Sequence, residues 1–142
     1  MKAKHILQSK GADVFAVNSD DTIAAAVNVL NDKNIGAVIV RDKTGDVVGI
    51  LSERDVVRRL GKQGIDAMTT PVADCMTSNP FTCTPDETVD DLMAQMTEKR
   101  IRHLPVKSEG RIVGVISIGD VVKRKIEAAE KEAAALKEYI SS

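Results

Sequence analysis

The chain has 142 residues and a mass of 15.3 kDa, room for one ordinary domain or two small ones sharing a core. Its 43% hydrophobic and 29% charged residues suit a packed interior under a solvated surface. A formal net charge of −1 and 2% aromatic residues with no Trp exclude the basic field and the stacking platforms of a nucleic-acid binder.

The opening stretch, "MKAKHILQSKGADVF", holds no apolar run of signal-peptide length, and no segment approaches a membrane span. A cytoplasmic setting with no membrane and no nucleic-acid partner is the expectation. A short extended segment, "DVFAV", comes next, followed by the polar cluster "NSDDT", whose side chains suit a helix start. Ile23, Ala26, Val27 and Leu30 then fall on one face of an amphipathic helix. Two apolar runs, "AVIV" and "VVGIL", flank the turn "RDKTGD" and predict a β-hairpin. A second helix is expected from Ser52-x-x-Asp55, with Val56 and Val57 on its inner face. Residues 61–80 are rich in Gly, Thr, Ser and Pro, as a linker is.

The same grammar then repeats. "NPFTC" is extended, "TPDET" starts a helix carrying Val89, Leu92, Met93 and Met96, and "HLPV" and "RIVGVIS" flank the turn "KSEG". The repeat is literal in places: Phe15 aligns with Phe81, Asp20 with Asp86, Thr22 with Thr88, Lys33 with Lys99, and Ile35 with Ile101. After one deletion at the turn, "GILSERDVV" aligns with "GVISIGDVV". One such unit has too little core to stand alone, so two are expected to cover each other's apolar faces. The expected organisation is a first domain over 3–60, a linker over 61–71, a second domain over 72–126 and a helical extension over 127–142.

That extension, "DVVKRKIEAAEKEAAALKEYISS", has no Gly or Pro and is rich in strong helix formers. Val122, Ile126, Ala129, Ala133, Leu136 and Ile140 are spaced as a heptad seam. Packing on its own domain and contact with a second chain both satisfy that pattern.

Ser52-x-x-Asp55 and Ser117-x-x-Asp120 each mark a strand running into a helix, where free N–H groups gather. Ser followed three residues later by an acid is close to a capping box. The Asp is also suited to accept two hydrogen bonds from a vicinal diol. Both roles are open on spacing, and they are compatible. No phosphate-binding Gly-rich loop and no nucleophile–base pair occurs. Cys75 and Cys83 form no CxxC pair, and with only His5 and His103 beside them a zinc cluster is excluded. Two reduced thiols are expected, and neither an enzyme nor a metal protein.

The doubled Gly-aliphatic-aliphatic-Ser-x-x-Asp phrase, the "RIRHLPV" before its second copy and the "VADCMT" that introduces that copy resemble a pair of CBS (cystathionine-β-synthase-type) domains, or Bateman module, standing alone. The resemblance covers residues 3 to about 126. It implies an α/β (α+β) fold of two βαββα units related by a pseudo-twofold axis, with a long C-terminal helix added here. It further implies two clefts for adenosine-containing ligands: AMP, ADP, ATP, NAD or S-adenosylmethionine. By the same resemblance Asp55 and Asp120 hold ribose hydroxyls, and Ser52 and Ser117 lie near ribose or phosphate. Val14, Thr82 and Thr84 lie in the segments that meet adenine. Arg102 and His103 reach the phosphate, and Arg54 supplies one charge where copy one has Gly36-Ala37 in place of that basic pair. The Asp120 site is therefore expected to bind first.

The resemblance implies a regulatory module acting on an unidentified partner, and a homodimer. The rival from another class is a scaffold that dimerises through its CBS units and last helix with the clefts unused. A weaker rival is a redox-linked regulator using NAD or the two cysteines.

Overall fold

In a computed structural model that describes residues 1–141, the chain is a mixed α/β protein whose residues group into two compact units. One unit comprises Val14–Phe81, and the other comprises Met1–Asp13 together with Thr82–Ser142. No helix among the described residues is long and apolar enough to cross a membrane.

The unit formed by residues 14–81 carries β1 (Ala16–Asn18), α2 (Ile23–Lys33), β2 (Ala37–Arg41), β3 (Val47–Ser52), α3 (Glu53–Gln63) and β4 (Thr77–Ser78); α1 (Ala3–Lys10) precedes it in the chain. Its sheet runs β1-β2-β3-β4, with β1 parallel to β2 and the other pairs antiparallel. Thr22 caps α2 by accepting the Ala25 N–H at 3.1 Å. Ile23, Ala26 and Leu30 then turn inward against Val38, Val40 and Leu51, as the helical spacing predicts. Two residues shared by the repeat also meet here: the Lys33 ammonium lies 5.3 Å from the centre of the Phe15 ring.

The segment expected as a linker is built of short turns. Residues Gly64–Thr69 and Val72–Asp74 form 3-10 turns, and Ala67 and Val72 are fully buried. Pro71 bridges to Thr22, and the Ile23 N–H donates to the Thr70 carbonyl at 2.9 Å. The Gly, Thr and Pro content reflects tight turns rather than slack.

The other unit carries α4 (Val89–Lys99), β5 (His103–Ser108), β6 (Arg111–Ser117) and α5 (Ile118–Ser141), with α1 packed on β6. Cys83 pairs in parallel with Val106, in the place that β1 occupies beside β2. Residues 3–13 adjoin residues 14–60 in the chain, but in space they belong with the residues from Thr82 onward. Ala3, Ile6 and Leu7 join a core with Val89, Leu92, Met96, Leu104, Ile116 and Val121. The Ala3 and Lys4 N–H groups donate to the carbonyls of Glu87 and Pro85 at 2.8 and 2.9 Å. Residues 72–78 behave likewise and close the sheet of the 14–81 unit.

This crossing explains the glycine that opens each repeated phrase. A Cβ on Gly114 would stand 2.6 Å from Leu7 Cδ2, and one on Gly49 would stand 2.6 Å from the Thr77 carbonyl and 2.7 Å from Met76 Sδ. Each incoming segment lies so close on its strand that no side chain fits beneath it.

One expectation about the helices needs correction, and one question left open on the last helix is answered. Of each Val-Val pair only the first faces inward. Val56 and Val121 are buried, while Val57 is 65% and Val122 40% exposed. Neighbours on a helix with 3.6 residues per turn point about 100° apart, so one core face cannot take both. Beyond Val121 no described residue of α5 is buried, and Ile126, Leu136, Tyr139 and Ile140 are all exposed. The apolar seam of the last helix therefore does not pack on its own domain.

Candidate functional site

Each Ser-x-x-Asp sequence sits where the last strand of a unit turns into a helix. At Ser52, the end of β3, the hydroxyl accepts the Asp55 N–H at 3.3 Å. The Asp55 carboxylate returns the favour, its Oδ2 accepting the Ser52 N–H at 2.9 Å and the Ser52 hydroxyl at 3.1 Å. Ser117 and Asp120 repeat the pattern: Ser117 Oγ accepts the Asp120 N–H at 3.2 Å, and Asp120 Oδ2 accepts the Ser117 N–H at 2.9 Å. The capping role is thus real in both copies. It does not exhaust either carboxylate, because every described hydrogen bond to both falls on Oδ2. Oδ1 retains its lone pairs, enough to accept a hydroxyl.

The neighbouring strand frames each corner in the same way. The Arg102 carbonyl accepts the Ile118 N–H at 2.7 Å, and the Gly36 carbonyl accepts the Glu53 N–H at 2.9 Å. His103 stands opposite Ser117 in the β5–β6 register, as Ala37 stands opposite Ser52 in β2–β3. Arg102 is exposed and His103 half-buried, so one corner carries a basic pair and the other carries Gly36-Ala37. Arg54, at the second position of α3, is exposed beside Ser52 and Asp55; its counterpart Gly119 carries no charge.

The three residues expected on the adenine side stand apart from these corners. Thr82 and Thr84 are exposed on either side of Cys83, whose pairing with Val106 puts them across β5 from β6. Val14 is half-buried just before Phe15, whose carbonyl accepts the Ile39 N–H at 3.1 Å, across β2 from β3. The ten residues thus divide: Thr82, Thr84, Arg102, His103, Ser117 and Asp120 in one unit, Val14, Ser52, Arg54 and Asp55 in the other.

The sequence reading missed Lys10. Its ammonium donates to Asp120 Oδ2 at 2.6 Å and to the Val115 carbonyl at 2.9 Å, closing an ion pair across 110 residues of chain. Burial alone raises the Asp120 pKa. The hydrogen bonds from Lys10 and Ser117, with the Lys10 charge, outweigh it and hold the carboxyl below its ordinary value. No ion pair to Asp55 is found among the described residues. The one signal available was the parallel between "AKHIL" and "VADCM": Leu7 covers Gly114 as Met76 covers Gly49. Three residues further on stand Lys10 and Asn79.

The cysteines are both free thiols. Burial, with Glu87 nearby, pushes the Cys83 thiol up to about 12, so it stays protonated and unreactive.

Comparison with known proteins agrees with this architecture. The CBS domain model matches residues 4–62 and again 72–127. A mitochondrial CBS domain-containing protein of Arabidopsis thaliana, CBSX3, is 35% identical over 95% of this chain and 69% of its own. The crystal structure of the CBS-domain containing protein ATU1752 from Agrobacterium tumefaciens superposes with a TM-score of 0.85 at 44% identity, covering 87% of this chain and 92% of that one. The CBS domain pair of protein MJ0100, solved in complex with methylthioadenosine and S-adenosyl-L-methionine, has a TM-score of 0.76 at 26% identity, covering 87% and 98%. With two matched copies spanning nearly all of its length, the chain belongs to the CBS-domain family, as a two-CBS protein.

Proposed function

We propose that this protein is a non-catalytic regulatory module that senses an adenosine-containing ligand through its Ser-x-x-Asp corners. The observation that carries the reading is the corner itself, built twice with one carboxylate oxygen engaged in capping and the other facing no described protein donor. A ribose presents two adjacent hydroxyls, and a fixed carboxylate on a short cap is a ready acceptor for them. The bound adenosine compounds of the MJ0100 pair support that ligand class. Among its members we favour AMP, ADP or ATP at the Asp120 corner, because Arg102 and His103 border it and an Arg fork suits phosphate. NAD is the larger alternative. The Asp55 corner has Gly36-Ala37 where the other has Arg102-His103, with Arg54 beside it, and is expected to bind more weakly or to prefer another adenosine compound.

A thermal-shift series with AMP, ADP, ATP, NAD and S-adenosylmethionine tests the class. A ligand at about 100 times its dissociation constant adds roughly 2.7 kcal/mol. Asp120→Asn, which retains a cap acceptor, should remove the shift given by the tightest ligand. Equal affinity of wild type and Asp120→Asn by calorimetry would sink the ribose assignment.

The exposed face of α5 supports a second element. Val122, Ile126, Leu136 and Ile140 form an uncovered apolar seam, and a twofold-related copy of the same helix is its simplest cover. We propose a homodimer in which α5 takes part, serving either ligand-dependent regulation or, in the rival reading, scaffolding alone. Ligand binding by the intact chain separates those two.

A further inference from the structure

Lys10 belongs to no part of the repeated motif, yet it makes the shortest ion pair described in the molecule, with the carboxylate assigned to ribose. Its position is fixed from both ends. Upstream, Ala3, Ile6 and Leu7 are buried in the core of its unit, and Leu7 is pressed on Gly114. At its tip, the ammonium is tied to the Val115 carbonyl as well as to Asp120. Both side chains are about two-thirds or more covered, at 35% and 22% exposure. An ammonium has three N–H donors, and two are accounted for. The third is left for another acceptor, on an ammonium held 2.6 Å from Asp120 Oδ2, while Asp120 Oδ1 is not taken by the cap.

We propose that Lys10 is a ligand-reading residue of the Asp120 site: with Asp120 it forms a donor–acceptor pair that recognises a hydroxyl, the ligand's O–H donating to Asp120 Oδ1 while its oxygen accepts the remaining Lys10 N–H. This rests on the reading of Asp120 as the ribose partner and adds a residue and a reason for selectivity. A carboxylate alone accepts from any donor. A carboxylate with an adjacent ammonium demands a group that both donates and accepts, which a hydroxyl does and an amine cation does not. The ammonium also offsets the Asp120 charge, so an anionic ligand meets less repulsion there than at Asp55, where Asn79 stands at the corresponding place in the chain.

The test is calorimetry on the full chain carrying Asp55→Asn, so that titration reports the Asp120 site, with AMP and with its dideoxy form lacking both ribose hydroxyls. The quantity read is the ratio of the two affinities. Lys10→Met should shrink that preference for AMP by about fivefold or more, and Lys10→Arg, which keeps donors and charge, should restore much of it. Circular dichroism melts verify folding, and Lys10→Gln carries the same comparison if Lys10→Met does not fold. A Lys10 that only anchors α1 would lower both affinities together, and an unchanged ratio in Lys10→Met overturns the proposal while leaving the ribose reading intact. A ratio unchanged in Asp120→Asn, or no binding of AMP by the parent chain, overturns both.

Discussion

Replacing Gly114 by Ala puts a methyl group into the space where α1 rests on β6. The new Cβ would lie 2.6 and 2.8 Å from the two Leu7 methyl carbons, well inside van der Waals contact. Leu7 is only 7% exposed and sits among Ile6, Leu104 and Ile116, so it cannot swing into solvent without emptying part of the core. Overpacking of this kind costs about 1–3 kcal/mol. At roughly 2–4 °C per kcal/mol for a chain near this size, the melting temperature should fall by several degrees. The clash has one identifiable partner, which allows a sharper test. Leu7→Ala alone removes a buried side chain and should cost about 2–5 kcal/mol. In the double variant the added methyl fills part of the cavity, so the loss should be smaller than the sum of the single losses by about 1 kcal/mol or more. Urea unfolding of the four proteins measures this coupling. Because α1 carries Lys10 to Asp120, the proposed function predicts that Gly114→Ala also weakens nucleotide binding at that corner. A Gly114→Ala protein within about 0.5 kcal/mol of wild type, or strict additivity with Leu7→Ala, would refute the close packing of α1 on β6.

Gly49→Ala should cost more than Gly114→Ala in the same assay, because its Cβ meets the Thr77 backbone carbonyl, which cannot rotate away as a side chain can. Asp120→Asn should reduce stability at neutral pH by about 1 kcal/mol, the scale of a partly exposed pair. Because the folded-state pKa of Asp120 is depressed, that contribution is present above the unfolded value of 3.8 and is lost as pH falls through the folded one. The gap between wild type and variant in urea should therefore close in acid, and a gap that persists there would contradict the ion pair. Under native conditions at neutral pH, a thiol reagent followed by mass spectrometry should label the half-buried Cys75 and spare Cys83, until denaturant exposes it. Removal of residues 128–142 should weaken the proposed dimer in sedimentation without lowering the melting temperature of the CBS units; a monomeric intact chain would refute the dimer, and an unchanged dimer would confine the contact to the units themselves.

Local order was legible in the residues. Thr22 and Thr88 announced helix starts, and each hairpin declared itself by an apolar run, a turn and a second run. Ser52-x-x-Asp55 and Ser117-x-x-Asp120 marked two strand-to-helix corners, all through contacts between residues at most a few positions apart. The duplication was legible as well, because copies of one unit must solve one packing problem and keep the same letters at Gly49 and Gly114. Tertiary structure alone decided which unit each incoming segment joins. It decided that Val121 and not Val122 is buried, that the last helix leaves its seam uncovered, and that Lys10 reaches Asp120. Periodicity reports which face of an element is apolar and is silent on what that face will meet. A charged residue at the end of a short helix looks solvated in any window of sequence, and only the packing of Leu7 on Gly114 carries Lys10 to a carboxylate 110 residues away.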